Sequence, residues 1–466
     1  MENGVGLERK LSAVNVWALA LGCIIGWGAF VMPGNTFLVK AGPLGTAIAM
    51  GAAAVIMIII AFNYHYMINR FPVAGGEFTY AQRAFGRGHG FVCSWFLSLS
   101  YLAIVPLNAT ALALIGRNLL GGVFQVGFHY TVAGYDVYWG EILLATTALV
   151  LFAWLAKRGV KGSGRFQTLL TFVLVGGVAL VSAAALLSPA ASWEKLSPAF
   201  APTGSEVSGV LAVIAVSPWA FVGFDTVPQA AEEYRFSPKK TRVIMIVSIL
   251  FGATVYVALN TVTAAAVPQG YDNWAAYIAD LSACSGLQAL PTFHAAKRLL
   301  GDAGLLVIGA AVLAAILSGI VGFYMAASRL LYAMARDNTL PAWFARLDGK
   351  SRTPGNAILF VMGVSLIAPF FGRTALGWIV DMSSIGAAIG YGYTSAAALK
   401  YARQERNRFV TVTGAAGTLL SLVFVGLLLV PVPALGCSLG GESWICLAAW
   451  SVLGLLFSVL SGRKRR

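Results

Sequence analysis

Long apolar runs separated by short polar segments dominate the chain. The runs fall near residues 12–39, 43–69, 90–116, 139–156, 166–187, 208–231, 243–267, 303–328, 355–372, 377–399, 409–432 and 444–461. A helix that crosses the hydrocarbon core of a bilayer needs roughly 20 residues, and most runs reach that length. Outer-membrane barrels instead alternate apolar and polar positions over short strands. The pattern therefore predicts an all-α membrane protein with 12 transmembrane helices.

The composition agrees with this prediction. Of 466 residues, 58% are apolar and only 11% are charged, whereas about 25% is usual for soluble globular proteins. The runs and their short connections leave no room for a large extramembrane domain. Residues 1–11 lead directly into the first run without a cleavage-site pattern, so we expect the first helix to stay in the membrane.

The basic residues indicate an orientation. The net charge is +14, and 26 of the 32 lysines and arginines fall in alternate loops and in both tails. Cytoplasmic loops carry such an excess, so we expect a multi-pass protein of the plasma (inner) membrane with both termini in the cytoplasm. The basic surplus then meets anionic membrane lipid, and we expect no nucleic acid partner.

Motifs for catalysis or metal binding are missing from the sequence. It contains no His-x-x-x-His pair, Cys-x-x-Cys pair, Walker loop or G-x-S-x-G elbow. We therefore expect no enzyme activity, no catalytic residues, no metal and no cofactor. Cys437 and Cys446 flank a predicted outer loop, where a disulfide is one possibility.

Two of the runs contain helix-breaking residues near their middles. The first run has Gly26-Trp27-Gly28, and the sixth has Pro218 and Gly223. Proline lacks an amide hydrogen and clashes with the carbonyl four residues earlier, while glycine relaxes the backbone. Backbone groups freed inside a bilayer must face protein or a cavity. Both helices are therefore predicted to open around an internal site.

The spacing of the two breaks predicts an inverted repeat. A first unit over 12–187 and a second over 206–400 each contain five runs and each begin with a broken helix. An odd number of spans inverts the second unit, and this arrangement places a substrate near the midplane. Residues 409–461 add two helices, with a cytoplasmic segment at 1–11 and a basic tail at 462–466.

The helix ends at the breaks predict the kind of substrate. The amides of Gly28, Ala29 and Phe30 are expected to lack intrahelical acceptors at a positive dipole end, which suits a carboxylate. The outer half of the sixth span is expected to end near Ser217, where its carbonyls suit an ammonium group. A zwitterion satisfies both ends, so we predict an amino acid or a related amine.

Four segments resemble the amino acid-polyamine-organocation transporters. Residues 26–28 resemble the family's unwound G-S/A-G, and residues 71–80 (FPVAGGEFTY) resemble its P-x-x-G-G-x-Y-x-Y loop. Residues 219–225 resemble the core of its sixth helix, and residues 328–341 resemble its S-R-x-x-x-x-x-A-R-D-G-x-L-P helix end. The resemblance implies a LeuT-type 5+5 inverted repeat plus two C-terminal helices.

The resemblance also implies the substrate-binding residues. They lie at the two breaks and are Gly26, Trp27, Gly28, Ala29, Phe30, Trp219, Ala220, Phe221 and Gly223. Trp27 departs from the family, which carries a small residue there. Its indole either fills part of the pocket or points away as an ordinary packing residue. Trp95, Tyr101 and Tyr324 are further candidates to close the cavity, or else contact core or lipid.

The sequence leaves ion coupling open. Members coupled to protons often carry a lysine in the fifth span, whereas this chain has Leu174 near that place. Ser318 either helps form a cation site or bonds its own helix backbone. Carboxylates inside a membrane are costly and point to function. Asp225 is accordingly either the proton carrier or a helix cap, and Asp381 is expected to be a cap.

We therefore predict a secondary transporter that works by alternating access. It is expected to move an amino acid with a neutral side chain across the membrane, and H+ is a candidate coupling ion. An obligate exchanger is the nearest alternative, and a substrate sensor without net transport is another. Glu232 and Glu233 are expected to face Arg83 and Arg87, either as an inner gate or to orient loops.

Overall fold

The computed structural model describes residues 7–132, 134–349, 351–372, 374–433, 435–436 and 438–463. Most of these residues are helical, and eight helical segments are long and apolar enough to cross a membrane, with two shorter apolar segments at Glu206–Ala220 and Gly355–Phe371. The prediction of a helical membrane protein is confirmed at this level. The count of 12 and the inverted repeat stay predictions.

The N-terminal half contains seven α-helices and one hairpin in the described residues. The helices are α1 (Ala13–Ile24), α2 (Gly28–Met32), α3 (Leu38–Arg70), α4 (Gly76–Phe85), α5 (Arg87–Leu120), α6 (Trp139–Lys157) and α7 (Val160–Leu187). Strands β1 (His129–Val132) and β2 (Tyr135–Tyr138) pair in antiparallel register, with His129 opposite Tyr138.

The described residues of the C-terminal half form ten α-helices joined by turns and loops. The helices are α8 (Glu206–Ala220), α9 (Thr226–Gln229), α10 (Thr241–Ala265), α11 (Trp274–Ala279), α12 (Pro291–Leu300), α13 (Asp302–Arg336), α14 (Gly355–Ser365), α15 (Thr374–Gln404), α16 (Arg408–Leu429) and α17 (Gly441–Arg463).

The first two predicted spans meet at a glycine hinge. The helical run from Gly28 passes through a π-helical turn at Pro33–Phe37 and continues into α3. Gly42 interrupts it with φ of 70°, directly before Pro43. A Cβ at Gly42 would stand 2.7 Å from the carbonyl carbon of Phe200, so only glycine fits this bend. The chain therefore bends at Gly42 without a polar loop.

The broken helices lie at the centre of the bundle. α1 packs against α7, α10 and α13, and α8 packs against α3 and α15. α13 is buried along almost all of its length from Ala314 to Ala335. Large apolar side chains such as Leu187, Ile445 and Leu455 are exposed instead on the outside, as expected for helices that face lipid tails. This packing places both breaks away from lipid.

Candidate functional site

The first break separates α1 from α2. α1 ends at Ile24 and α2 begins at Gly28, so residues 25–27 form the unwound segment. The amide of Ala29 donates to the carbonyl of Gly26 at 3.2 Å, and that of Phe30 donates to Trp27 at 3.0 Å. The expectation that these two amides lack acceptors is therefore wrong, because a tight i to i+3 turn at the helix start satisfies them.

The second break lies later than the sequence predicts. α8 continues through Pro218 to Ala220, and the amide of Phe221 closes its last turn on the carbonyl of Ser217 at 3.0 Å. The expected end near Ser217 is therefore wrong. Pro218 removes only the bond to the Ile214 carbonyl, and the following turn compensates. The unwound segment is 221–225, and the short helix α9 follows it.

The two breaks lie against each other. A Cβ on Gly28 would stand 2.3 Å from Cη2 of Trp219, and a Cβ on Gly223 would stand 2.5 Å from the amide nitrogen of Ile24. Gly223 also has φ of 145°, which other residues rarely adopt. Each break therefore packs, through a glycine, on the helix interrupted by the other.

A small cavity lies between the breaks. Its volume is about 20 Å³, room for a group about the size of one water molecule. It is lined by Cys23, Ile24, Gly26, Trp27, Ile104, Leu107, Asn108, Trp219, Val222 and Tyr256. Trp27 is buried and belongs to the lining of this cavity.

The predicted site residues occupy different positions around this cavity. Gly26, Trp27 and Trp219 line it, and Gly28 contacts the indole of Trp219. Four others are buried in the same core but do not belong to the lining: Ala29, Phe30, Ala220 and Phe221. The sequence does not distinguish the residues of a break from one another. In the structure, each helix turns only one side toward the cavity.

Asn108 is a cavity residue that the sequence analysis missed. It projects from α5 and is 2% exposed, and its Nδ2 donates to the carbonyl of Ile104 at 2.9 Å. Its Oδ1 has no hydrogen-bond partner among the described residues, and neither has Nε1 of Trp27. An asparagine inside the apolar run 90–116 was the available signal. A buried polar atom without a hydrogen bond costs free energy. Oδ1 of Asn108 and Nε1 of Trp27 are therefore suited to contact a polar ligand.

Asp225 links the second break to α5. Its Oδ1 accepts from the amide of Gly223 at 2.7 Å, and its Oδ2 accepts from the hydroxyl of Tyr101 at 3.1 Å. The side chain forms no capping bond to α9, so the structure does not support the alternative that Asp225 is a helix cap. The carboxylate instead holds the unwound segment 221–225 in shape. It is fully buried.

The junction of α1, α7 and α13 contains a neutral hydrogen-bond network. Gln167 donates from Nε2 to Oγ of Ser318 at 2.6 Å and to the carbonyl of Ala18 at 3.4 Å, and Thr171 donates to the same carbonyl at 2.9 Å. Ser318 therefore bonds across helices and not to its own backbone. Leu174 is buried.

Glu232 and Glu233 pair with α13. Glu233 accepts from Nε of Arg329 at 2.7 Å, with both side chains buried, and Glu232 accepts from Arg336 at 2.5 Å. The predicted partners Arg83 and Arg87 are wrong, because α13 and not α4 or α5 presents its guanidinium groups to this turn. The N-terminal segment adds two bonds, from the amides of Lys10 and Leu11 to the carbonyl of Glu233.

Several other candidates have structural partners. Trp95 stacks on Trp450 with ring centroids 4.6 Å apart, and the Tyr324 hydroxyl donates to the carbonyl of Leu149 at 3.0 Å. Ser443 donates to the carboxylate of Asp381 at 2.6 Å, which joins α15 to α17. Cys437 lies outside the described residues, so its disulfide with Cys446 stays a prediction.

The comparison with known proteins decides the family. Residues 11–456 match the family described as amino acid permease. The chain belongs to this amino acid permease family. The permease is 27% identical to the methylthioribose transporter of Bacillus subtilis, over 98% of this chain and 94% of the relative. The family resemblance drawn from the four motifs is thereby confirmed.

Other relatives carry amino acid names. The permease is 26% identical to a branched-chain amino acid permease of Bacillus subtilis, over 84% of this chain and 79% of the relative. It is also 25% identical to the vacuolar cationic amino acid transporter 4 of Arabidopsis thaliana, over 83% of this chain and 62% of the relative. The family and these relatives are described as permeases or transporters.

Proposed function

We propose that this permease is a secondary transporter for an amino acid with a neutral side chain and that it works by alternating access. The cavity between the two breaks is its proposed substrate site. The observation that carries the proposal is the mutual contact of the breaks, Gly28 with Trp219 and Gly223 with Ile24. A ligand that enters there touches both interrupted helices at once, so binding is coupled directly to their positions.

The chemistry of the cavity supports a neutral polar or zwitterionic substrate. Its lining contains no lysine, arginine, aspartate or glutamate among the described residues. Trp27 offers an unpaired donor and Asn108 an unpaired acceptor. A carboxylate can accept from the first, and an ammonium or hydroxyl group can donate to the second. An acidic side chain would enter without a compensating cation.

The size of the cavity supports a movable wall. A volume of about 20 Å³ is too small for an amino acid. Trp27 and Trp219 stand on opposite breaks and together occupy the space that a substrate needs. We propose that substrate entry displaces these indoles and that their displacement moves the halves of the broken helices.

The proposed gate at the predicted cytoplasmic face is the pair Glu233 and Arg329. The pair is buried, and Nε of Arg329 lies 2.7 Å from Oε1 of Glu233. The turn that carries Glu233 follows directly on α9, the helical piece after the second break. Motion of α9 therefore pulls on the ion pair, and release toward this face requires the pair to separate.

We propose H+ as the coupling ion, carried by Asp225. The carboxylate is fully buried, lies two residues after Gly223 and contacts no basic group among the described residues. A buried carboxylate without a cation is favoured in its protonated form. Its bond to the amide of Gly223 makes the shape of the second break depend on its protonation state.

An obligate exchanger is the second candidate, and one observation favours it. The junction of α1, α7 and α13 is occupied by the neutral side chains of Gln167, Thr171 and Ser318, which bond one another and the carbonyl of Ala18. This network ties three helices together through hydrogen bonds between neutral groups. A carrier held in this way can require bound substrate for every conformational change.

Reconstituted transport tests the proposal and separates the candidates. Proteoliposomes that contain the purified permease receive a labelled mixture of neutral amino acids, with or without internal unlabelled substrate and with or without an imposed inward pH gradient. Uptake that requires internal substrate under both conditions identifies an exchanger, and accumulation driven by the gradient identifies proton symport. Specific binding without uptake under any condition would contradict transport and indicate a sensor.

A further inference from the structure

Glu77 is a second fully buried carboxyl group beside the functional site. It lies in the first turn of α4, in the segment between the second and third predicted spans, and is 0% exposed. The sequence placed it in a loop, where a charged side chain is ordinary. The structure folds this loop inward, so that α4 packs against α5, α9, α13 and α15. Its carboxyl group therefore lies inside the bundle.

The carboxyl group of Glu77 has few partners. Its Oε2 accepts from Nε2 of Gln229 at 2.5 Å, and its Oε1 has no hydrogen-bond partner within the described part of the chain. No ion pair joins it to a described lysine, arginine or histidine. On the side of α13, the methyl group of Ala333 packs against Gly75, two residues before Glu77. It lies 2.2 Å from where a Cβ on Gly75 would stand. A buried carboxylate in such surroundings lacks the cation that would stabilise its charge.

Glu77 is linked to Asp225 through α9. Asp225 directly precedes this four-residue helix, and Gln229 is its last residue. Tyr64 of α3 and Tyr391 of α15 lie near both carboxyl groups. The hydroxyls of Tyr64 and Tyr391 are buried without a partner among the described residues, and their rings lie 6.1 Å apart. Hydroxyl groups that are able to donate and accept protons therefore lie near both carboxyl groups.

The charge of Asp225 affects the protonation of Glu77. Burial raises the pKa of Glu77 well above its usual range, and the nearby charge of Asp225 raises it further. The titratable groups that face Glu77 are Tyr64, Tyr80, Cys93, Tyr101, Asp225 and Tyr391. None of these is a base that would carry a positive charge. Two such carboxyl groups favour a state in which they share protons and are not both ionised.

We propose that Glu77 is a second proton-binding site of this permease, which exchanges the transported proton with Asp225 on its way to the predicted cytoplasmic face. The proposal rests on the transport function proposed above. In the transfer, a tyrosine hydroxyl gives its proton to the carboxylate of Glu77 and accepts one from the carboxylic acid of Asp225. Asp225 is left as a carboxylate, Glu77 becomes a neutral acid, and the hydroxyl is restored.

A purely structural role predicts something different. If Glu77 only anchors Gln229, an amide at this place keeps the anchor, because a glutamine side chain also accepts from Nε2. Glu77→Gln therefore removes the proton site and retains the hydrogen bond. Glu77→Asp retains an acid. Glu405→Gln is the matched control, since Glu405 is an exposed carboxylate that pairs with Arg70 away from the cavity.

The experiment compares these variants with the wild-type permease in proteoliposomes. Two rates are measured: exchange of labelled for internal substrate at equal pH, and uptake driven by an inward pH gradient. For Glu77→Gln we expect uptake driven by the pH gradient to fall at least about tenfold, which is the change in protonated population that one pKa unit produces. Exchange should stay near the wild-type rate. Glu77→Asp should retain driven uptake, with its pH profile shifted. Glu405→Gln should match the wild type.

The outcomes distinguish the two proposals. Absence of exchange in the wild type would overturn the transport function itself. Wild-type exchange without gradient-driven uptake, or full driven uptake in Glu77→Gln, would overturn the role of Glu77 and leave transport standing. If Glu77→Gln does not fold, Glu77→Asp decides, because a pH profile identical to that of the wild type would contradict proton binding at this residue.

Discussion

Gly28 lies directly against the indole of Trp219, so that a Cβ at position 28 would stand 2.3 Å from Cη2. The contact joins the first residue of α2 to the last turn of α8. Cβ atoms essentially never approach another heavy atom so closely, so a side chain at position 28 forces Trp219 to move.

Gly28→Leu is expected to abolish substrate binding and transport while the protein still inserts and folds, because the added side chain displaces Trp219 into the cavity. Binding is measured by scintillation proximity and folding by size-exclusion chromatography in detergent. Gly51→Leu is the matched control, since no atom lies within 4 Å of a Cβ there. Wild-type affinity in Gly28→Leu would show that the cavity is not the substrate site.

Selectivity is expected to favour neutral amino acids over acidic ones, because the described cavity lining contains no basic residue. The measurement is competition by each common amino acid, and by methylthioribose, against uptake of one labelled substrate. Asn108→Leu should weaken the binding of all amino acid substrates, since it removes the unpaired Oδ1 that is proposed to accept from their ammonium group. If glutamate or aspartate were the strongest competitor, the cavity between the two breaks would not be the substrate site. Strong competition by methylthioribose, which has no carboxylate or ammonium group, would argue against recognition of a zwitterion.

Asp225→Asn is expected to flatten the dependence of uptake on an imposed pH gradient and to leave exchange active, because the amide imitates the protonated acid. Tyr101→Phe removes the hydrogen bond to Oδ2 but not the acid, and should keep the gradient dependence. The check is initial uptake across a series of external pH values. Full gradient-driven uptake in Asp225→Asn would assign Asp225 a structural role only.

Breaking the pair of Glu233 and Arg329 is expected to destabilise the closed predicted cytoplasmic face. Arg329→Met leaves a buried carboxylate without its partner, which typically costs about 3–5 kcal/mol. The double variant with Glu233→Gln should recover part of that loss. Accessibility of a cysteine introduced near Ser328 to a membrane-impermeant thiol reagent reports opening. A reactivity unchanged from wild type in Arg329→Met would contradict a gate at this pair.

Thermal stability should depend on pH through Glu77. Since burial raises the pKa of its carboxyl group in the folded protein, folding favours the protonated form. Its contribution is fully present below the pKa of the unfolded chain, about 4.3, and is lost as the pH rises through the higher folded pKa. Glu77→Gln should therefore gain Tm relative to wild type between pH 5 and pH 8, measured in detergent. A difference in Tm that does not change with pH would contradict the shift.

The sequence by itself determined that the protein is a helical membrane protein and where its two helix breaks lie. Apolar runs of about 20 residues admit only helices that cross a bilayer, so the helical membrane fold followed from composition and length. Gly26, Gly28 and Gly223 marked the breaks because a bilayer tolerates an interrupted helix only beside protein or a cavity. Four motifs, each read over a short local stretch, were enough to indicate the family.

Only the tertiary structure decided which side chains meet. The sequence left the direction of Trp27 open, assigned Glu233 to the wrong arginines and treated Glu77 as a loop residue. These outcomes depend on contacts between residues far apart in the chain, such as Glu233 with Arg329 and Glu77 with Gln229. A local pattern fixes a helix and its break, but the rotation of that helix about its axis is set by close packing against its neighbours, and this rotation selects the residues that face the cavity.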